Sequence, residues 1–362
     1  MKLLTIFCLI CTLSGCAGFH AIPPNNYSVI SAKTSSFVTR IVVDQNGNIY
    51  PESPNYIPKK PFFNGFNIGY TLEENIKKDI NLIALKASNE IEIKNNKARL
   101  LNPQSKTFFL IHGFNNDFSE AKAFYEKAEE RIDSLTGVKN HYVEFYWDGL
   151  YNGKTTLDIP YFYWGDSLTY SNYAGQIGLR RILNRLKSTN ELYFITHSRG
   201  AAVAFSSLLD PVYKPEIARD MPKYKIIPEE AMTNRFNKIR IISLAPAIGP
   251  VGHNLNDSLK RNLPRDTKIF IGFNSKDMTL KKGVFWNKSH KIGDTTLGSK
   301  DEVYEQVEKS LNTSDTKMIQ RINYSQFGHG AEKYLDNQGN FECLLWAAGV
   351  KIKGQPCITR YE

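Results

Sequence analysis

The chain has 362 residues, of which 41% are hydrophobic and 12% aromatic, and a formal net charge of +10. That apolar content supports a sizeable core and excludes a disordered chain. Five cysteines are too few for a disulfide-built scaffold, no cysteine or histidine pair has metal-ligand spacing, and no stretch has the pattern of a nucleic-acid module. The positive charge would suit anionic lipid or other acidic material, for example through Lys281, Lys282, Lys288 and Lys291, but solubility is the simpler reading.

The first predicted element is an export signal. Lys2 gives a positive start, and Leu3 to Leu13 is nearly all apolar. This run is shorter than the roughly 20 residues that span a bilayer, and it fits the apolar core of a signal peptide. It ends in Leu13-Ser14-Gly15-Cys16, which resembles the lipobox of bacterial lipoproteins. The resemblance implies cleavage before Cys16, acylation of its sulfur and a lipid bilayer as partner. Acyl chains anchor through about 0.8 kcal/mol per buried methylene. Ala17, not Asp, follows the cysteine, which by analogy with enteric sorting implies the outer membrane where the cell has one. Cys8 and Cys11 leave with the signal. Cys343 and Cys357 remain, and in an oxidising compartment they are expected to pair, two separate thiols being the alternative.

Residues 1–15 are thus read as signal, 16–35 as lipidated cysteine and linker with Pro23-Pro24, and 36–105 as an accessory region. In the accessory region Val38 to Val43 predicts a strand, Asn46-Gly47 a tight turn and Ile49-Tyr50 its return. Residues 51–65, rich in proline and aromatics, read as irregular, and Leu72 to Ala87 as a polar helix. A regular pattern occupies 106–340, followed by a tail at 341–362. Thr107 to Ile111 is a continuous apolar run, as expected of a strand buried on both faces. Asp117 and Glu120 predict a capping box for a helix whose apolar stripe runs from Ala121 to Leu135, with Gly137 as its stop. Strands follow at 141–147, 191–196, 238–244, 268–273 and 317–324, and helices at 174–186, 199–209 and 301–311. Residues 148–172 read as a long aromatic loop and 211–236 as an insertion. Alternating strands and helices imply an α/β fold with a mostly parallel sheet covered on both faces, and ligands bind at the carboxyl ends of such strands.

The chemistry-bearing residues fall at those ends. Thr196-His197-Ser198-Arg199-Gly200 joins a strand to a helix, the context of a nucleophile elbow. The turn lifts the Ser198 hydroxyl above the sheet, and the N–H of Arg199 is one candidate oxyanion donor. Thr196 departs from G-x-S-x-G, and a plain helix cap is the competing role for Ser198. His112-Gly113-Phe114-Asn115-Asn116 ends an earlier strand, and Phe114 is the second candidate donor. These motifs, with Phe145-Tyr146-Trp147, resemble a bacterial family of α/β-hydrolases of unknown substrate, over roughly residues 105 to 330. The resemblance implies the fold and leaves the substrate open. The order nucleophile, acid, base points to Asp277 after the 268–273 strand and to His329, flanked by Gly328 and Gly330, after the last. Asp266, Asp294, His112, His290, His197, His253 and His141 are weaker rivals by position.

The reading is therefore a tethered serine hydrolase acting on a small-molecule or lipid carboxylic ester through Ser198, His329 and Asp277, with no cofactor or metal required. Thioester, amide and acyl-transfer chemistry use the same groups. A non-catalytic envelope-binding or scaffolding protein on a hydrolase fold is the alternative of a different class.

Overall fold

The structure is a computed structural model that describes residues 37–51, 59–64, 67–72, 77–151, 164–232, 236–250, 252–253, 255–256, 259, 262–281, 296–325, 328–354 and 357. Cys16, the linker, His290, Asp294 and most of the 148–163 stretch lie outside the described residues.

Seven strands form one sheet in which every neighbouring pair is parallel. They are β1 (Val38–Val42), β4 (Thr107–Ile111), β5 (His141–Tyr146), β6 (Glu191–His197), β7 (Lys238–Leu244), β8 (Thr267–Phe273) and β9 (Ile319–Asn323), in the order β1-β5-β4-β6-β7-β8-β9. A separate antiparallel hairpin pairs β2 (Lys59–Asn64) with β3 (Asn67–Leu72). β4 and β6 are central, and their apolar runs are buried on both faces. Alternation along the strands divides the core in two. Phe109, Ile111, Val143 and Phe145 face one layer of helices, and Phe108, Leu110, Tyr142 and Tyr146 the other.

The first layer holds α1 (Ile80–Leu101), α3 (Trp164–Tyr173) with a π-helical continuation over Ala174–Leu179 and a last turn α4 (Arg180–Leu183), then α5 (Gly200–Leu208) and α7 (Asp301–Leu311). A short helix, α6 (Pro215–Asp220), lies in the expected insertion. The second layer holds α2 (Phe118–Thr136), α8 (Ala331–Asp336) and α9 (Gln338–Ala347). On α2 the Asp117 side chain accepts from the N–H of Glu120 at 2.8 Å, and the Glu120 carboxylate accepts in return from the N–H of Asp117. Gly137 ends this helix at φ +72°. Cys343 of α9 is bonded to Cys357 with Cα atoms 5.3 Å apart, tying the tail to the second layer.

Several elements differ from expectation. The helix expected at 72–87 starts at Ile80 and runs to Leu101, with Leu72 belonging to β3. Its buried seam is Ala84, Ser88, Ile91, Asn95 and Ala98, so two of five inward positions are polar and the apolar period is weak. The irregular stretch 51–65 contains β2, and the 148–172 loop gives way to α3 at Trp164. The helix expected at 174–186 begins as a π-helix over Ala174–Leu179, a form with no sequence period of its own to read. Val43 and Ile49 close the early turn through a single antiparallel bridge rather than a return strand.

Candidate active site

The site forms where β6 ends. Ser198 follows His197 with φ +51°, a left-handed conformation that costs a non-glycine residue roughly 1–3 kcal/mol. Its backbone is clamped: the N–H donates to the Leu244 carbonyl at 2.9 Å, and its own carbonyl accepts from Ala247 at 3.1 Å. Gly200 is required by the same turn, because a Cβ there would lie 2.4 Å from the His112 carbonyl oxygen and 2.6 Å from that of Ile111. Gly113 likewise lets its loop approach the serine, since its Cβ would meet the Ser198 Cβ at 3.0 Å. Thr196 fits in place of the usual glycine because its hydroxyl turns to β7 and donates to Ser243 Oγ at 2.9 Å.

Three side chains converge from three loops. The Oγ of Ser198 lies 3.1 Å from Nε2 of His329, and Nδ1 of His329 lies 2.7 Å from Oδ2 of Asp277. The other carboxylate oxygen of Asp277 accepts from the N–H groups of Thr279 and Leu280 at 2.9 and 3.1 Å. Burial alone would raise the Asp277 carboxyl, but the hydrogen bond and charge of His329, with the Leu280 N–H, outweigh it and hold the group below its ordinary value. An ionised Asp277 accepts from Nδ1–H of His329, which leaves Nε2 to accept the serine proton.

Of the rival groups, His112, Asp266 and His141 are occupied or remote. His112 donates through Nδ1 to the Gly113 carbonyl at 2.9 Å and accepts through Nε2 from the Trp147 N–H at 3.2 Å. Burial pushes it down to about 4, so it is neutral and shapes the loop that carries Phe114. The Trp147 indole N–H donates back to the His112 carbonyl at 2.8 Å. Asp266 pairs with Arg240 at 2.6 Å, before β8 and so at the amino end of the sheet. His141, at the start of β5, lies between the hydroxyls of Thr39 and Thr107, 3.1 Å from each.

His197 has a role that sequence position did not reveal. Its Nε2 donates to the carbonyl of His329 at 2.7 Å, and the two rings lie 4.9 Å apart. Burial, helped by the nearby charge of His329, lowers it to about 3 and keeps it neutral. It therefore holds the His329 loop without competing for the proton. A histidine immediately before the serine was the available signal, but its partner lies 132 residues away.

The N–H groups of Phe114 and Arg199 have no backbone acceptor among the described residues. Phe114 packs edge-on against Trp164, with ring centres 5.2 Å apart, and the Arg199 guanidinium lies 4.2 Å from the centre of the same indole. The arrangement can thus offer a hydroxyl, a base and an oriented carboxylate, with two amides beside them. Among the described residues no group of three His, Cys, Asp or Glu is placed to hold a metal ion, and no helix is long and apolar enough to cross a membrane.

A search of curated proteins finds no match. A family model, described as "Alpha/beta hydrolase of unknown function (DUF900)", matches residues 86–321. That range includes Ser198 and Asp277 and stops short of His329. The parallel sheet with helices on both faces is consistent with that fold, and the chain belongs to this family of α/β hydrolases.

Proposed function

We propose that the protein is a serine hydrolase that cleaves a carboxylic ester through an acyl-enzyme, and that it does so at a membrane to which Cys16 tethers it. The observation that carries the reading is the unbroken relay from Ser198 through His329 to Asp277, at 3.1 and 2.7 Å. His329 takes the serine proton as Oγ attacks the ester carbonyl. The negative charge that develops on the carbonyl oxygen is met by the N–H groups of Phe114 and Arg199, each contributing roughly 3 kcal/mol in such sites. The tetrahedral adduct collapses, His329 gives its proton to the leaving alcohol, and Ser198 keeps the acyl group. Water, activated by the same imidazole, then releases the acid. Asp277 keeps the imidazole in the tautomer that each step needs.

The hydrolase family supports the reaction class, and the Leu13-Ser14-Gly15-Cys16 sequence supports the tether. Hydrolysis of para-nitrophenyl esters of graded chain length tests the chemistry. We expect turnover with a burst of nitrophenol, and a fall of roughly 10⁴-fold or more in Ser198→Ala. A folded Ser198→Ala protein as active as wild type would rule the reading out.

A further inference from the structure

Of the other buried arginines, Arg181 leaves Nη1 without an acceptor but is paired with Glu229 through Nε, and Arg180 and Arg240 use all three nitrogens of the guanidinium. Arg180 donates to the carbonyls of Ser206, Ser207, Leu209 and Glu229 and to Asp210. Arg240 donates to the carbonyls of Ile239, Asp266 and Ala348 and to the Asp266 carboxylate. Arg199, fully buried next to the nucleophile, has a single hydrogen-bond acceptor among the described residues: Nη1 donates to the Ala247 carbonyl at 2.6 Å. Its Nε and Nη2 have no acceptor, and no carboxylate pairs with it among the described residues. These two nitrogens form one edge of the guanidinium fork, the edge that matches two oxygens of a carboxylate or phosphate. The indole it stacks on, Trp164, also has a buried N–H without an acceptor among the described residues.

A buried donor left unmade costs about 1–3 kcal/mol, and more when it is charged. Such a cost is explicable where a ligand completes the bonds. Two contacts tie this guanidinium to the loops around Ser198. Ala247, which holds Nη1, also donates its N–H to the Ser198 carbonyl, and Trp164 contacts Phe114 of the oxyanion loop. His253, close enough for its protonation to be opposed by the Arg199 charge, adds no negative charge.

We infer that the Nε–Nη2 edge of Arg199 binds an anionic group of the substrate, a carboxylate or phosphate, so that the ester cleaved at Ser198 carries a negative charge of its own. This rests on the reading of Ser198 as nucleophile. Two matched pairs test it: para-nitrophenyl hemiglutarate against the neutral isostere with isopropyl in place of carboxylate, and butyryl glycerol phosphate against butyrylglycerol. Wild type is expected to prefer the anionic member of one pair by roughly 100-fold in kcat/KM, the pair that does so naming the anion. The preference ratio should fall at least about tenfold in Arg199→Met and return in part in Arg199→Lys. If Arg199→Met does not fold, the wild-type ratio and the lysine variant decide. Wild type that a fluorophosphonate labels at Ser198 but that prefers neither anion overturns the inference and leaves the hydrolase reading intact. Wild type that is not labelled counts against the hydrolase reading alone. The anion site is then decided by calorimetric titration of Ser198→Ala with ethyl hemiglutarate and with glycerol phosphate, where binding of neither overturns it.

Discussion

At Ser198 a serine is held at φ +51° by hydrogen bonds to Leu244 and Ala247, although relaxed alternatives exist for a residue that merely starts a helix. Strain of this kind persists only where the surroundings over-determine it, and here they place Oγ against His329. Asp277→Asn is expected to keep the geometry but stabilise the wrong imidazole tautomer, lowering kcat by roughly 10³–10⁴-fold with little change in KM. Steady-state kinetics on a para-nitrophenyl ester check this, and an unchanged kcat would remove Asp277 from the relay. Gly200→Ala drives a methyl into two backbone oxygens that have no room to retreat. It should cost at least about 3 kcal/mol in urea unfolding or abolish expression of folded protein. Ser198, Asp277 and His329 were legible from order and from their places after strands. The partnership of His197 with the His329 carbonyl and the half-satisfied guanidinium of Arg199 were not, because both depend on contacts across loops distant in sequence.

Among the elements, legibility followed the strength of local signals. α2 combines a reciprocal cap, a six-residue apolar stripe and a left-handed glycine stop, and it was readable end to end. Asp117→Ala removes one side of that cap and should cost about 1 kcal/mol, seen as a fall of about 2–4 °C in Tm. α1 shows the opposite case. Its first residue has no side-chain cap, Ser88 and Asn95 interrupt its buried seam, and Leu82, Ile93 and Leu100 are exposed, so its amphipathic pattern points weakly in the right direction. Asn95 is buried because it accepts from the Thr107 hydroxyl at 2.8 Å, a contact no periodicity encodes. The π-helical stretch before α4 carries no local signal for the same reason: it is fully buried, and its shape answers to α5 packed against it.

For the whole molecule, the parallel sheet places the carboxyl ends of β4, β6, β8 and β9 along one edge, with β7 between β6 and β8, which is why segments far apart in sequence meet at one serine. Behind α2, away from the site, lies a second polar group. Glu144 accepts from Arg40 at 2.6 Å and from the Tyr146 hydroxyl at 2.7 Å, and Glu129 stands beside it. Burial, then the negative charge of Glu144, pushes the Glu129 carboxyl well above its ordinary value. The folded state therefore keeps a proton that the unfolded chain releases above about pH 4.3. The stabilisation is complete below that value and is lost progressively as pH rises above it. Glu129→Gln mimics the protonated acid, so its Tm should decline less than that of wild type between about pH 5 and 8. Parallel slopes for the two proteins would show that Glu129 is not held protonated.

The proposed function requires chemical activation of Ser198 by His329. Fluorophosphonate labelling of the chain from residue 17 onward, with the adduct located by peptide mass, measures this without knowledge of the substrate. We predict a single adduct on Ser198 in wild type, absent in Ser198→Ala and strongly reduced in a folded His329→Ala protein. Labelling of His329→Ala at the wild-type rate would contradict the account.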